Sequence, residues 1–179
     1  AFADDDGSVD LIWINGENFA TMKTEGLLFG PWAGSLPSFD LVDVTNKPTT
    51  VLDFQTPTDG LEAPWGMAQF NVIVDGNASS DFPTDLALLE QWTANNPGRF
   101  TYPQPPNFLG TTFLKQAVLA LSSDPSALYQ DVATADFDGV TAPLWAFLDA
   151  VHPNLWQRGE SFPASGPAAQ QLFSDGDTV

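Results

Sequence analysis

The sequence contains no cysteine. That excludes a disulfide framework, thiol catalysis and any cysteine-ligated metal. Basic residues are nearly as scarce, with five Lys and Arg against 23 Asp and Glu, for a net charge of −18. A surface with so few cations cannot displace counterions from phosphates, so nucleic acid is excluded as a partner, as is an anionic membrane face. The acids are spread over turns rather than gathered in a tail, which reads as a solubilising surface. No apolar run approaches the ~20 residues of a membrane span. There is one histidine, His152, and tyrosine is reduced to two against fourteen Phe and six Trp.

The fraction of hydrophobic residues, 43%, is ample for a packed core in a chain of 179 residues. The stretch that organises it is Leu61 to Asp75, LEAPWGMAQFNVIVD. Pro64-Trp65-Gly66 is a break carrying a large aromatic, and Met67 to Val74 is the strongest strand candidate. The chain before this stretch reads as a β-α unit and a long irregular loop; the chain after it reads as mostly helical. It is therefore the expected crossover between two lobes.

At the start, Asp4-x-Asp6-x-Ser8 hints at a calcium loop, but Val9 and Asn15 break the pattern where Gly and Glu belong. Val9 to Ile14, VDLIWI, predicts a strand buried on both faces. Asn15-Gly16-Glu17-Asn18 then predicts a strand-to-helix turn, with a helix from Phe19 to Glu25 and Gly26 just past its end. Ligands gather at such corners in open α/β sheets, which makes Asn15, Glu17 and Asn18 candidate ligand contacts; ordinary helix capping accounts for them equally. Short strands are expected at Leu41 to Val44, Thr50 to Phe54 and Arg99 to Tyr102.

Spacing predicts five further helices. One starts at Ser80 or Asp81 with Leu86, Leu89 and Trp92 on its buried face, and ends at Asn95-Asn96-Pro97-Gly98. The next is capped by Thr111 after Pro103-Gln104-Pro105-Pro106-Asn107, with Phe113, Leu114, Ala117, Val118 and Leu121 inward. Its start, from Asn107 through Gly110, Thr111 and Thr112, is a second candidate ligand corner with free N–H groups. A short helix begins at Asp124-Pro125. Another begins at Thr141-Ala142-Pro143, with Leu144, Trp145, Leu148, Val151 and Leu155 on one side and Pro153 ending it. The last starts at Ser165-Gly166-Pro167, and Thr178-Val179 reads as the opening of a further strand.

Catalytic signatures are missing. No Gly-x-Ser-x-Gly elbow, phosphate loop or zinc ligand set is present, and His152 reads as a helix-end contact. Paired carboxylates remain open by residue type, with Glu17, Glu62, Glu90 and Glu160 beside loops. Trp13, Trp92, Trp145 and Trp156 read as core. Trp32 and Trp65 sit in Pro/Gly loops, and Trp65 has the chemistry to stack on a sugar or a cation.

The phrases DLIWINGENFATMKTEGLLFGPW, DGLEAPWGMAQF, NPGRFTYPQPPNFLGTTFLKQAVLAL, TAPLWAFLD and SFPASGPAAQQLFSDGD resemble the extracellular, periplasmic solute-binding proteins of bacterial ABC importers, YnjB-like subgroup. The resemblance runs over nearly all of residues 9 to 177. It implies an α/β fold, an interior segment of a two-lobed, type II periplasmic-binding-protein-like clamshell that is helix-rich and mostly second lobe. Residues 1–60 would belong to the first lobe, 61–75 to the hinge and 76–179 to the second lobe. It also implies a non-enzymatic, monomeric transport protein, periplasmic or tethered outside the membrane. Such a protein needs no cofactor, holds a small-molecule solute between its lobes and delivers it to an ABC permease. Stacking by Trp65, polar contacts from Asn15, Glu17 and Asn18, and donors from Asn107 to Thr112 would form the site. The alternatives from other classes are a carbohydrate-active hydrolase using two carboxylates, and an interaction module without a pocket.

Overall fold

The computed structural model describes residues 9–77, 81–133 and 136–179. The calcium-like fragment at residues 4–8 and the candidate cap Ser80 lie outside them. The chain divides into two compact units, one ending at Ala68 and the other running from Gln69 to Val179.

In unit 1 the one α-helix among the described residues is α1, Gly16–Thr24. Its end is built as the sequence predicts. Gly26 adopts φ +67°, its N–H donates to the Lys23 carbonyl, and the Leu27 N–H reaches back to the Met22 carbonyl. That is a Schellman motif, which satisfies carbonyls the helix leaves open. The Lys23 ammonium donates to Asp59 at 2.6 Å and to the Pro57 carbonyl, tying this last turn to residues 57–59.

The strands expected in unit 1 are largely not formed. Val9 to Ile14 is irregular, and Val9, Leu11 and Trp13 are exposed rather than buried on both faces. An apolar run becomes a strand only when another segment pairs with it, and no described residue does so here. Leu41 to Val44 contains the end of a 3₁₀ turn, Phe39–Leu41. The Thr50 to Phe54 expectation survives as β1, Leu52–Asp53, paired antiparallel with β2, Thr56–Pro57. It is cut short because Phe54 and Gln55 both take positive φ, 42° and 74°, which turns the chain after Asp53.

The long stretch from Met67 to Val74, predicted as the central strand, carries no ladder either, and Met67, Val72 and Ile73 are exposed. In unit 2, Phe70 packs against the core.

Unit 2 is built on α2 (Leu86–Asn95), α3 (Phe108–Leu121), α4 (Phe137–Val151) and α5 (Gly166–Ser174). Its core joins Leu89, Phe113, Ala117, Leu144, Phe147, Leu148, Val151 and Leu155 to Phe100 and Tyr102. The 99–102 segment buries Phe100 and Tyr102 at strand-like spacing but forms no strand. Single bonds hold it instead, from Trp156 N–H to the Phe100 carbonyl at 2.8 Å and from Val179 N–H to the Arg99 carbonyl at 3.0 Å.

Four helix starts differ from the expected ones: α1 begins at Gly16 rather than Phe19, which takes Gly16 to Asn18 into the helix instead of leaving them in a turn. Asp85, not Ser80 or Asp81, caps α2 by accepting from Leu88 N–H. Asn107 caps α3 by accepting from Leu109 N–H, so Thr111 lies inside the helix. For α4 the cap is Asp136, accepting from Gly139 N–H, which starts the helix ahead of Thr141 and leaves Pro143 within it. In each case an Asp or Asn side chain accepts from an orphan N–H at the helix start. Trp145 is also displaced from its expected place. It is half-exposed, bonded through its indole N–H to Thr141 Oγ1, and Phe147 fills the core instead. One residue is 100° of helix rotation, enough to carry Trp145 off the Leu144–Leu148–Val151 stripe.

Candidate functional site

The candidate ligand residues fall into two sets, one in each unit. In unit 1, Asn15 is the N-cap residue of α1, and Glu17 and Asn18 lie in its first turn; all three are exposed. The Asn15 side chain makes no capping bond. The cap comes from a residue that local sequence did not flag. Asp53 accepts from Gly16 N–H at 2.5 Å, across 37 residues of chain. No sequence signal marks it, because the pairing depends on the β1–β2 turn bringing Asp53 to the helix end.

Trp65 is 84% exposed. Its ring centroid lies 5.3 Å from that of Trp13, which is itself 75% exposed, and the planes are tilted by 58°. Trp13 was expected in the core and is not there. The pair distance suits favourable aromatic contact, yet both rings keep most of their surface in solvent. Two adjacent indoles left open to water are the most unusual surface feature of unit 1. Trp32, the other loop tryptophan, is accounted for structurally. Its indole N–H donates to the Leu61 carbonyl, and its backbone N–H to the Gly60 carbonyl.

In unit 2 the second set lies at the start of α3. Asn107 is committed to its cap at 3.0 Å, and the Thr112 hydroxyl donates back to the Phe108 carbonyl at 2.7 Å. Gly110 is buried against the Pro103 backbone, where a Cβ would stand 1.8 Å from the carbonyl oxygen. Thr111 is half-buried, its N–H bonded to the Asn107 carbonyl. This corner is therefore packed through Gly110, with the Leu109 and Thr111 N–H groups both taken by Asn107.

Glu62, three residues before Trp65, has a carboxyl pushed up to about 7, first by burial and then by the neighbouring charge of Asp53. Its Oε2 is buried without a hydrogen-bond partner among the described residues. The folded chain thus holds this proton more tightly than the unfolded chain does. The stability it lends is full below about pH 4.5 and is lost as pH rises through about 7. Glu62→Gln, which cannot ionise, should match the wild type in acid and exceed it at pH 8.5. Solvent screening of the partly open carboxyl keeps the gain near ~1 kcal/mol. Urea midpoints at the two pH values test this, and equal shifts at both would refute it.

Burial lowers the pKa of His152 and raises that of Tyr102 to about 12, and the Tyr102 hydroxyl and His152 Nε2 share a hydrogen bond at 2.8 Å. Among the described residues no group of three or more His, Asp or Glu side chains is placed to hold a metal ion, and no helix is long and apolar enough to cross a membrane.

The chain is similar to Protein YnjB of Escherichia coli (strain K12). The two are 45% identical over 170 residues, which is 95% of this chain and 43% of that protein. The chain thus spans less than half the length of the curated relative it matches. No protein-family model and no solved structure matches it.

Proposed function

We propose that this chain is part of a solute-binding component of an ABC importer, a two-lobed α/β clamshell that captures a small solute outside the inner membrane for a permease. Binding would favour the closed arrangement through its greater affinity for the solute. The observation that carries the reading is the Trp13–Trp65 pair, two exposed rings flanked in sequence by Asn15 and by the break Pro64-Trp65-Gly66. Exposed indoles supply flat apolar contact for a sugar face or a cation, and the net charge of −18 further favours the cation. Two further features support it. The long phrases from DLIWINGENF to SFPASGPAAQ resemble the family, and the boundary after Ala68 falls within the 61–75 stretch read as a hinge. Glu17 and Asn18 at the open start of α1 are the polar contacts in this reading; Asn107 and Gly110 are assigned to packing.

The test is a thermal-shift screen against sugars, amino acids, polyamines and aromatic cations. A solute at 100 times its dissociation constant should add about 2.7 kcal/mol, several degrees in melting temperature. Trp65→Ala should abolish at least one such shift while leaving the melting temperature of the free protein within a degree or two, since an exposed ring contributes little to folding. If Trp65→Ala removed none of the shifts, the assignment would fail. The hydrolase reading gains one observation, the raised carboxyl of Glu62 near Asp53, since a general acid must hold its proton near neutral pH. It requires turnover of a glycoside that Glu62→Gln removes.

A further inference from the structure

We propose that unit 2 carries a site for a neutral mono- or disaccharide, in the groove between the 81–84 turn and the outer face of α2. The groove measures about 360 Å³, within the range of about 300–1,000 Å³ common for small-molecule sites. Its aromatic part is Phe82 and Trp92, both half-buried against the unit 2 core at the edge of that face, with ring centroids 5.1 Å apart and planes at 60°. Phe82 also meets the buried Phe100 at 6.2 Å, so the core holds these rings in place before any ligand arrives. Its polar part is Gln91 and Asn95, one helical turn apart on the exposed side of α2. Among the described residues, neither amide nor the Trp92 indole N–H has a protein hydrogen-bond partner.

These groups match one chemistry. Aromatic rings take the C–H face of a sugar, while planar amides both donate to and accept from its hydroxyls. The lining includes Asp81 and no Lys or Arg, which disfavours phosphates and carboxylates. None of these groups belongs to the tryptophan pair of unit 1.

The experiment is isothermal titration of the full chain with glucose, galactose and maltose, repeated on a Gln91→Ala/Asn95→Ala double variant and on Trp65→Ala. At least one sugar should bind saturably. The double variant should weaken that sugar roughly tenfold or more, the loss expected from two hydrogen bonds. Its melting temperature should not change, because both side chains are exposed. Trp65→Ala should leave the titration unaltered. Failure of all three sugars to bind, or binding that the double variant leaves intact, overturns the site. Loss of binding in Trp65→Ala alone would also overturn it, placing the sugar at the tryptophan pair.

Discussion

Gly110→Ala is expected to lower the unfolding free energy by about 3 kcal/mol or more, through a clash with backbone rather than with a movable side chain. The added Cβ would lie 1.8 Å from the Pro103 carbonyl oxygen and 2.8 Å from its carbon. Neither atom can swing aside as a side-chain tip can. Gln104 N–H donates to the Pro163 carbonyl and Asn107 N–H to the Gln104 carbonyl, so the 103–107 segment is held from both sides. The strain must then enter α3, whose Phe113 and Ala117 lie in the unit 2 core. With a urea slope of about 1–3 kcal/mol per molar, the midpoint should fall by at least ~1 M. A loss below ~1 kcal/mol would show that the close approach is relieved cheaply. The same variant separates two roles for this glycine. A ligand-cradle glycine would lose solute affinity with the fold intact, whereas a packing glycine loses stability with no solute present.

How far the sequence discloses this protein depends on whether a signal is local. The end of α1 at Gly26, the stop of α2 before Pro97, the end of α4 before Pro153 and the Ser165 cap of α5 are all set by residues within a few positions of each other. The buried faces Leu86–Leu89–Trp92 and Phe113–Ala117 are legible for the same reason, since helical spacing alone puts them on one side. Strands are different in kind. VDLIWI and MAQFNVIV have the composition of strands, but a strand is defined by its partner, and composition does not supply one. The same gap hides the tryptophan pair. Trp13 reads as core because it sits in an apolar run; only its position beside Trp65, 52 residues later, reveals it as half of an exposed pair. Asp53 reads as one acid among many until the turn at Phe54 brings it to Gly16. At Asn107–Thr112 the Pro-rich lead-in and Gly110 suggested an open cradle. What local sequence does not disclose is that Gly110 also lets α3 pass against Pro103.

Phe19→Ala should have the most selective effect of any core substitution in the chain. Phe19 is fully buried and is among the largest side chains so enclosed. Removing such a ring typically costs about 3–5 kcal/mol. In unit 1 the other buried apolar residue among those described is Ala33, and the extended hydrophobic cluster lies wholly in unit 2. Nothing else in unit 1 can absorb the loss. At nine residues, α1 is also shorter than the ~12–15 that an isolated helix needs to be even marginally stable in water. Without Phe19 it should therefore unwind, with its Asp53 cap and its Lys23–Asp59 ion pair too weak to hold it. Amide exchange is the measurement. The amides of Gly16 to Thr24 that bond within α1 should lose protection, while those of α4, backed by Leu144, Leu148 and Val151, keep theirs. Trp13→Ala is the control, since its exposed ring should change stability by no more than about 0.5 kcal/mol. If α1 stayed protected in Phe19→Ala, another part of the chain would have to be holding it. If exchange rose equally in α4, the two units would share one cooperative core rather than each resting on its own.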